Sequence, residues 1–414
     1  MIKAVALLRS TVAVRERAGW LLARARDGGS AEFAVDDARL DSAVEEVAAV
    51  TRSRYPSLEI PYHSRWRHFE AGGVDRLRVL DARLGAADAA DAAERARAQI
   101  DLTLVSVLLD AGAGPAWSYR EPGTGLVLTR SEGLGVASFH AFVAGLFSSD
   151  PARPLQVDAT ALRRLDAAEL GLAFQVGPGN PLVGLDGRVA LLRRLGSALV
   201  EAKAVYGSEG RPGGLFDHAL RQRTPMSDGQ ASRLDAHDLL VILLETLASV
   251  WTTGNVLGGQ SLGDCWRHDA VPGAGASAGW VPFHKLSQWL CYSLLEPFAW
   301  AGHPVTGLEA LTGLPEYRNG GLLIDSGVLR PKDARFAARP RAVDELFVVE
   351  WRALTVALLD ELAPRVRQAL GVPPERMPLA CVLEGGTWAA GRALARRLRD
   401  GLPPVTIVSD GTVF

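Results

Sequence analysis

Apolar residues recur at three- and four-residue steps along most of this chain, as in helices that bury one face. This pattern predicts helices over Asp37 to Val50, Ala86 to Asp110, Leu185 to Tyr206, Leu234 to Trp251, Val281 to Trp300 and Asp344 to Leu370. Runs typical of strands are few, namely Gly125 to Thr129, Leu379 to Leu383 and Val405 to Val408. The sequence therefore predicts a mainly α fold.

The end of the chain has a different pattern from the rest. Its two strand-like runs flank a helical pattern from Thr387 to Arg399, which predicts a small strand–helix–strand element. No internal repeat or low-complexity linker divides the chain. We therefore expect a single domain over residues 1–414, with an N-terminal helical part of about 1–180 and a C-terminal part of about 181–414 that carries the mixed ending.

Composition fits a globular protein. The chain has 414 residues, of which 48% are hydrophobic and 22% charged, so it can bury a substantial core and disorder is not expected. The formal net charge of -2 provides no general basic field for nucleic acid. We therefore expect a small-molecule substrate and no nucleic-acid partner, and the oligomeric state stays open.

Cysteine and histidine spacing argues against disulfides and metals. The three cysteines, Cys265, Cys291 and Cys381, lie far apart, and the eight histidines lack metal-ligand spacing. We expect no catalytic metal and no cofactor. No segment approaches the roughly 18 apolar residues of a membrane span, so we expect no membrane association and a location in the reducing cytoplasm.

Two polar clusters interrupt the apolar pattern between residues 283 and 321. In the first, Phe283-His284-Lys285-Leu286-Ser287-Gln288-Trp289, the lysine and the glutamine share a helix face. The second is Pro315-Glu316-Tyr317-Arg318-Asn319-Gly320-Gly321. A chain reversal at Gly302-His303-Pro304 allows both clusters to converge on one pocket. Such a pocket would place an acid, a cation and an amide around one small polar molecule.

Each of these residues also has a structural interpretation. Lys285 can extend to solvent along an apolar surface, and Gln288 can cap a loop. Glu316 can cap a helix and pair with Arg318. As a catalytic group, however, a carboxylate stabilises a nearby forming cation and orients or deprotonates water.

Glu350 and the segment Gly385-Gly386-Thr387 also have both a structural and a functional interpretation. Glu350 falls on an apolar helix stripe, which favours a structural ion pair with an arginine. Gly385-Gly386-Thr387 follows a predicted strand and opens a predicted helix. Free N–H groups there would bind phosphate, with Thr387 as a contact, although a tight turn with a threonine cap is the default.

A basic and aromatic cluster lies near residue 65. Within Pro61-Tyr62-His63-Ser64-Arg65-Trp66-Arg67-His68-Phe69, the two arginines can hold an anion or stack on a ring. A surface loop with arginine–aromatic packing is an equally good interpretation.

Several of these phrases resemble those of a known family. They are Arg65–Phe69, Phe283–Trp289, Pro315–Gly321, Glu350–Thr355 and the closing Ser409–Phe414. Together they span nearly the whole chain and are similar to the uracil-catabolism protein family, long labelled a domain of unknown function. The resemblance implies a role in a fungal and bacterial uracil-degradation route with ribosylurea as an intermediate and urea as an end product.

A second resemblance, to the queuosine salvage glycosidases, implies a fold and a site. Their Phe-x-Lys-x-x-Gln phrase matches Phe283, Lys285 and Gln288, and their Asp-Tyr-Arg phrase matches Glu316-Tyr317-Arg318. The resemblance implies a helical, DNA-glycosylase-like fold with Lys285 and Glu316 facing a ribose. The departure is Glu in place of Asp at position 316, which places the carboxylate about 1 Å differently.

Together these resemblances predict an N-ribosyl hydrolase that cleaves ribosylurea or its 5'-phosphate without a metal. Glu316 and Lys285 are the expected catalytic residues. The expected substrate ligands are Gln288, His284, Tyr317, Arg318, Arg65, Arg67 and Thr387. The alternatives are another hydrolase of the route, attacking the ureido group with a cysteine nucleophile, and a non-catalytic ligand-binding or regulatory protein.

Overall fold

A computed structural model describes residues 1–85, 89–223, 233–251 and 253–408. The closing phrase Ser409–Phe414 and the first residues of the helix predicted from Ala86 lie outside the described residues. In chain order the helices are α1 Ile2–Leu8, α2 Thr11–Arg26, α3 Leu40–Arg54, α4 Trp66–Phe69, α5 Arg76–Leu84, α6 Ala89–Leu108, α7 Arg130–Val143, α8 Ala159–Arg164, α9 Ala167–Ala173, α10 Leu185–Glu201, α11 Lys203–Tyr206, α12 Gly214–Arg221, α13 Ala236–Leu247, α14 Lys285–Trp300, α15 Tyr317–Asp325, α16 Leu346–Leu370, α17 Leu379–Val382 and α18 Trp388–Arg399.

Strands are short and occur in pairs. They are β1 Phe33–Val35, β2 Tyr119–Arg120, β3 Val127–Leu128, β4 Leu234–Asp235, β5 Val256–Leu257, β6 Gln260–Ser261, β7 Cys265–Arg267, β8 Trp280–Pro282, β9 Val305–Thr306, β10 Leu329–Pro331, β11 Arg341–Ala342 and β12 Ile407–Val408. The pairs β1–β10, β2–β3, β5–β6 and β7–β8 are antiparallel, whereas β4–β9 and β11–β12 are parallel.

The predicted mainly α class is confirmed, and each of the six predicted helices overlaps an observed one. Val281 to Trp300 begins later than predicted, at Lys285, because β8 pairs with β7 up to Pro282. The similarity to the fold of queuosine salvage glycosidases stays a prediction. No helix in the described part of the chain is long and apolar enough to cross a membrane.

The chain divides into two compact units. The first comprises Met1–His63, Gly254–Gln288 and the described chain from Leu308 onward, and the second comprises Ser64–Thr253 and Trp289–Gly307. Each unit takes residues from both halves of the chain, so neither corresponds to the predicted 1–180 or 181–414 part. The expectation of a single domain stays a prediction.

In the first unit, α16 packs against α2 and α3, and α15 packs against α18. Most of α16 is buried, from Phe347 to Val366, which explains its long apolar pattern. It ends at Gly371 in the left-handed conformation that favours glycine (φ 69°). In the second unit, α7 packs against α4 and α6, and α10 against α8.

The predicted C-terminal strand–helix–strand element is wrong at its first strand. Leu379–Val382 is α-helical, and Leu383–Thr387 continues as a π-helical turn directly into α18. Every residue from Leu379 to Thr387 is buried, and a short, fully buried apolar run has no periodicity that separates strand from helix. The last strand forms at Ile407–Val408 and pairs with Arg341–Ala342.

Candidate active site

Glu316 is the N-cap of α15. Its two carboxylate oxygens accept hydrogen bonds from the backbone N–H groups of Arg318 at 2.7 Å and Asn319 at 2.5 Å. The capping interpretation is therefore confirmed. The expected pairing with the Arg318 side chain is wrong, because that guanidinium donates to the Gly401 carbonyl at 3.2 Å and lies over the Tyr317 ring. Each carboxylate oxygen accepts one of these bonds and has a second lone pair, so the cap orients the acid without using all its acceptor capacity.

The electrostatic surroundings of Glu316 are unusual for a helix cap. The residue is half-buried, and desolvation raises the pKa of its carboxyl. The two backbone N–H groups and the charges of Lys285 and His63 act in the opposite direction on that pKa. Glu316 and Lys285, the two residues expected from the sequence to act together, therefore lie within electrostatic reach of each other.

Asn319 and Gly320, which follow Glu316 in α15, have structural roles. A Cβ at Gly320 would lie 2.6 Å from the Trp351 ring, and the Trp351 indole N–H donates to the Gly320 carbonyl at 3.1 Å. Asn319 is buried, and its amide group donates to the Leu314 carbonyl at 3.0 Å. Gly320 thus lets the start of α15 approach α16, and Asn319 ties it to the preceding segment.

Lys285 begins α14 and is held in place by Asp264. The Asp264 carboxylate accepts the backbone N–H of Lys285 at 2.9 Å, and its backbone carbonyl accepts those of Phe283 and His284. Arg352 binds both Asp264 carboxylate oxygens at 2.8 Å. Despite complete burial, the pKa of Asp264 falls to about 2, chiefly because of Arg352.

The same ion pair reaches the segment before Glu316. Arg352 Nε donates to the Pro315 carbonyl at 3.4 Å, and its guanidinium lies 4.1 Å from the centre of the Phe283 ring. One buried arginine therefore contacts both sequence clusters, Phe283–Trp289 and Pro315–Gly321. Neither Asp264 nor Arg352 was expected from the sequence to be a site residue, because an isolated Asp and Arg nearly 90 positions apart carry no local signal.

Gln288 has a structural role in this arrangement. Its amide nitrogen donates to Phe283 O at 3.0 Å and to Thr312 Oγ1 at 2.6 Å, and its oxygen accepts from Thr312 N at 2.8 Å. Both amide hydrogens therefore have protein partners. Gln288 ties the start of α14 to the segment that leads to Glu316, and its predicted sugar contact stays a prediction.

His284 is buried and adopts a left-handed backbone conformation, with φ of 49°. Its Nε2 lies 2.7 Å from the Leu8 carbonyl, which only accepts, so the ring donates from Nε2. Burial lowers the pKa of the ring and favours the neutral form. Such backbone conformations are costly for residues other than glycine and persist where the surroundings impose them, frequently at functional sites.

A second carboxylate, Glu384, lies beside His63. His63 Nδ1 is 2.9 Å from Glu384 Oε2, while Tyr55 Oη and Arg54 Nη2 donate to Oε1 at 2.9 Å and 2.8 Å. These partners outweigh burial and bring the pKa of Glu384 down to about 2. Neither His63 nor Glu384 was assigned to the site from the sequence. A glutamate directly before Gly-Gly in an otherwise apolar segment was the available signal.

The π-helical turn presents Glu384 to its partners. A Cβ at Gly386 would lie 2.4 Å from Thr51 Oγ1 and 2.6 Å from the Val47 carbonyl, so glycine permits close approach of α3. Arg54, the last residue of α3, then reaches the carbonyls of Glu384 and Gly385. Such single-turn π segments are frequent at functional sites.

The predicted phosphate cradle at Gly385-Gly386-Thr387 is wrong in its geometry. It required a helix N-terminus with free N–H groups, whereas this segment lies inside continuous helix. Thr387 itself is fully buried, and its hydroxyl has no hydrogen-bond partner among the described residues.

Arg65 and Arg67, both in the second unit, already have acidic partners. Arg65 is fully buried and pairs with Asp110 at 3.0 Å, whereas Arg67 pairs with Glu296 at 2.6 Å. A phosphate at either arginine would compete with those carboxylates. Their predicted role as anion ligands stays a prediction.

Glu350 is a structural residue, as predicted. It lies 3.8 Å from Arg24, accepts a hydrogen bond from Ser30 Oγ, and lies 3.2 Å from His268 Nε2. The ion pair with an arginine is confirmed, and a histidine and a serine add to it. Within the described residues, no group of three or more His, Cys, Asp or Glu side chains is arranged to hold a metal ion.

Comparison with known proteins places this chain in a family. A family model described as protein of unknown function (DUF1688) matches residues 7–414. The chain is 39% identical over 416 residues to Protein urg3 of Schizosaccharomyces pombe, covering 99% of both chains. It is 37% identical over 415 residues to Uracil catabolism protein 4 of Lachancea kluyveri, covering 94% of this chain and 93% of the relative. The resemblance to the uracil-catabolism protein family is confirmed, and the chain belongs to the DUF1688 family.

Proposed function

We propose that this protein acts in uracil catabolism as an N-ribosyl hydrolase that cleaves ribosylurea or its 5'-phosphate into urea and the corresponding ribose. The name of the Lachancea kluyveri relative supports the pathway. The observation that carries the reaction type is Glu316, a half-buried carboxylate fixed as a helix cap and within electrostatic reach of Lys285 and His63.

Departure of urea from C1' leaves positive charge on the ribose ring, because the ring oxygen shares its electrons with the anomeric carbon. A fixed carboxylate beside that carbon stabilises the developing cation, since it requires no reorganisation during the reaction. Glu316 also accepts a proton from the attacking water. Its oriented position, set by two backbone N–H groups, suits both tasks.

Lys285 is the proposed ligand of the ribose hydroxyls or of a 5'-phosphate. Its backbone is fixed by Asp264, so the first turn of α14 directs the side chain reproducibly. Tyr317 and Arg318 flank Glu316 and are proposed to fix the sugar, and His284 supports the turn that carries Lys285.

The alternative with a cysteine nucleophile loses support from the structure. Cys265, Cys291 and Cys381 are all buried. Burial raises the pKa of the Cys265 and Cys291 thiols, which disfavours the reactive thiolate. No observation favours an attack on the ureido carbon over cleavage at C1'.

The test is to incubate purified protein with ribosylurea and, separately, with its 5'-phosphate, and to measure urea and free pentose. We expect both products in equal amounts from one of the two substrates. Carbamoyl loss with the sugar still attached would replace the proposal by a ureido hydrolase. Ligand-induced thermal stabilisation without turnover on either substrate would replace it by a binding protein.

The variant Glu316→Gln tests the assigned residue. We expect it to lower kcat by roughly 100-fold to 1000-fold, as for removal of one preorganised electrostatic group. Asp158→Asn is the matched control, because Asp158 is also a carboxylate helix cap, accepting from Ala161 N at 2.9 Å at the start of α8. Equal losses in both variants would assign Glu316 to helix capping alone.

A further inference from the structure

We infer that Arg352, paired with Asp264, is a positioning residue of this reaction, because it fixes the segment that carries Lys285 relative to the segment that carries Glu316. This inference rests on the proposed function, since it explains how those two catalytic residues come to act on one substrate. All four residues lie in the first unit. Arg352 acts through its protein partners and needs no contact with the substrate.

Asp264 determines the backbone position of Lys285. Its own backbone carbonyl accepts the N–H groups of Phe283 at 2.9 Å and His284 at 3.1 Å, and its carboxylate oxygen Oδ2 accepts that of Lys285 at 2.9 Å. The N–H of Lys285 belongs to the first turn of α14 and has no acceptor within the helix, so the carboxylate supplies one. The direction in which the Lys285 side chain leaves the backbone therefore depends on the position of Asp264.

Arg352 connects Asp264 to the segment before Glu316. Its Nη1 and Nη2 atoms each lie 2.8 Å from one carboxylate oxygen of Asp264, and its Nε donates to the Pro315 carbonyl at 3.4 Å. The oxygen Oδ2, which accepts from Arg352, also accepts the Lys285 N–H. A continuous series of hydrogen bonds thus runs from the backbone directly before Glu316 to the backbone of Lys285.

A second link joins the same two segments without a charge. Gln288, about one turn after Lys285, exchanges two hydrogen bonds with Thr312, at 2.6 Å and 2.8 Å. Thr312 lies in the segment that leads to Glu316. One link alone would leave a hinge, whereas two links at different positions along α14 restrict rotation of the helix relative to that segment. The ion pair is the link that lies at Lys285 itself.

The burial of the ion pair indicates that it contributes geometry more than stability. Arg352 and Asp264 are 1% and 6% exposed. Replacing a buried ion pair by apolar residues is often neutral or stabilising, because both charges lose their hydration on burial. A guanidinium and a carboxylate joined by two parallel hydrogen bonds, however, hold one relative orientation, which an apolar contact does not impose.

Relative position matters because the charge of Lys285 acts on Glu316. Desolvation raises the pKa of the Glu316 carboxyl, whereas the backbone N–H groups of Arg318 and Asn319 and the charges of Lys285 and His63 lower it. The carboxylate must be ionised to stabilise the ribosyl cation. A displaced Lys285 would lower that pKa less, so Glu316 would ionise at a higher pH.

The experiment uses Arg352→Lys in the full-length protein, with ribosylurea or its 5'-phosphate, whichever the unmodified protein cleaves. Lysine retains the positive charge but lacks the planar fork that makes two parallel bonds to Asp264 and a third to Pro315. We expect kcat to fall by about 100-fold, as for a displacement of about 1 Å in an active site. We also expect the acid limb of kcat/KM, which reports ionisation of the free enzyme, to move to higher pH.

Arg76→Lys is the matched control. Arg76 lies in the second unit, is 1% exposed and binds the two carboxylate oxygens of Glu121 at 2.7 Å and 2.6 Å. Its Nη1 also donates to backbone carbonyls, those of Phe69 and Ala71. It therefore has the same chemistry as Arg352 in a pair that lies elsewhere in the chain. We expect Arg76→Lys to lower Tm without moving the acid limb of kcat/KM.

A double-mutant cycle separates positioning from stability. Arg352→Lys should lower kcat per folded molecule by about 100-fold in the otherwise unmodified protein, and by less than about tenfold in the Lys285→Met background. The reason is that the position of residue 285 no longer matters once its ammonium group is absent. Equal losses in both backgrounds, or an acid limb that stays in place, would assign the pair to stability alone and overturn the inference.

Asp264→Asn is a second variant that removes the ion pair while retaining the shape of the side chain. Its amide oxygen can still accept one N–H group. We expect the same loss of kcat and the same dependence on Lys285. Failure of both variants to fold, with Arg76→Lys folded, would also assign the pair to stability and overturn the inference.

The outcomes distinguish this inference from the proposed function. Urea release by the unmodified protein, together with full turnover in folded Arg352→Lys, overturns the inference alone. Absence of urea release from both substrates by the unmodified protein overturns the proposed function, and this inference with it.

Discussion

Two histidine–glutamate pairs in the first unit look alike in composition but differ in their surroundings. His268 uses both ring nitrogens within the protein, since Nε2 lies 3.2 Å from Glu350 and Nδ1 accepts from Ala270 N at 3.3 Å. His63 contacts Glu384 through Nδ1 at 2.9 Å and lies within electrostatic reach of another carboxylate, Glu316. The His268–Glu350 pair has a structural role, whereas the His63–Glu384 pair adjoins the candidate site.

The difference shows that a buried His–Glu pair is not by itself a catalytic signature. Perturbed titratable groups occur in structural ion pairs as well as at active sites. What distinguishes the second pair is that its histidine lies within electrostatic reach of the half-buried Glu316. Burial raises the pKa of Glu316, whereas the pKa of Glu384 is lowered to about 2. Two carboxylates with opposite shifts can play different roles in one reaction.

The largest expected effect on stability comes from the structural pair. Glu350→Ala removes the acceptor for buried Ser30 and the partner of His268, so the free energy of unfolding should fall by about 3–5 kcal/mol. Urea denaturation followed by circular dichroism measures it. Turnover per folded molecule should remain unchanged, and loss of turnover at unchanged stability would reverse the roles of the two pairs.

The His63–Glu384 pair should make the free energy of unfolding depend on pH in the acid range. The pKa of Glu384 is about 2 in the folded protein instead of 4.5, so its stabilisation is present above about pH 4.5 and is lost as the pH falls toward 2. The contribution is on the order of 3 kcal/mol. Glu384→Gln should remove this acid-side dependence, because the amide does not ionise. If the free energy of unfolding of Glu384→Gln still decreases toward pH 2 as it does in wild type, the assignment is contradicted.

Glu316 should make the free energy of unfolding depend on pH in the direction opposite to Glu384, with a smaller effect. Because burial raises its pKa, its contribution to stability is present below the normal glutamate range and is lost as the pH rises through the raised value. The free energy of unfolding of wild type relative to Glu316→Gln should therefore decrease with increasing pH. Thermal unfolding of both proteins across that pH range measures it. A difference that increases with pH would mean that the cap, rather than desolvation, controls this carboxylate.

The fold class and part of the site could be predicted from the sequence for clear reasons. Long helices such as α16 bury one face over many turns, so their periodicity is strong. Lys285 and Glu316 stand out because each lies in a polar cluster within an apolar segment. The family phrases added the expectation that both face one substrate.

The remaining site residues depend on tertiary contacts that no local pattern encodes. Asp264 and Arg352 meet only when the chain folds, and so do His63 and Glu384, which are 321 positions apart. The Leu379–Leu383 run resembles a strand in sequence because a fully buried segment shows neither helical nor strand periodicity. The pair Gly385-Gly386 resembles part of an anion site, although the close approach of α3 accounts for both glycines.

The smallest expected effect concerns Thr387, which lies with Glu384 on the π-helical turn. Its buried hydroxyl has no hydrogen-bond partner among the described residues, so Thr387→Val should raise the free energy of unfolding by about 1 kcal/mol. Thr355→Val is the matched control, because the Thr355 hydroxyl donates to the Trp351 carbonyl at 2.8 Å. This variant should therefore have a lower free energy of unfolding than wild type. If the Thr387 hydroxyl instead serves the substrate, as the sequence predicted, the same variant should raise KM for ribosylurea severalfold at unchanged kcat. A loss of stability equal to that of Thr355→Val would show that the hydroxyl is already satisfied within the folded protein, and would remove Thr387 from the candidate site.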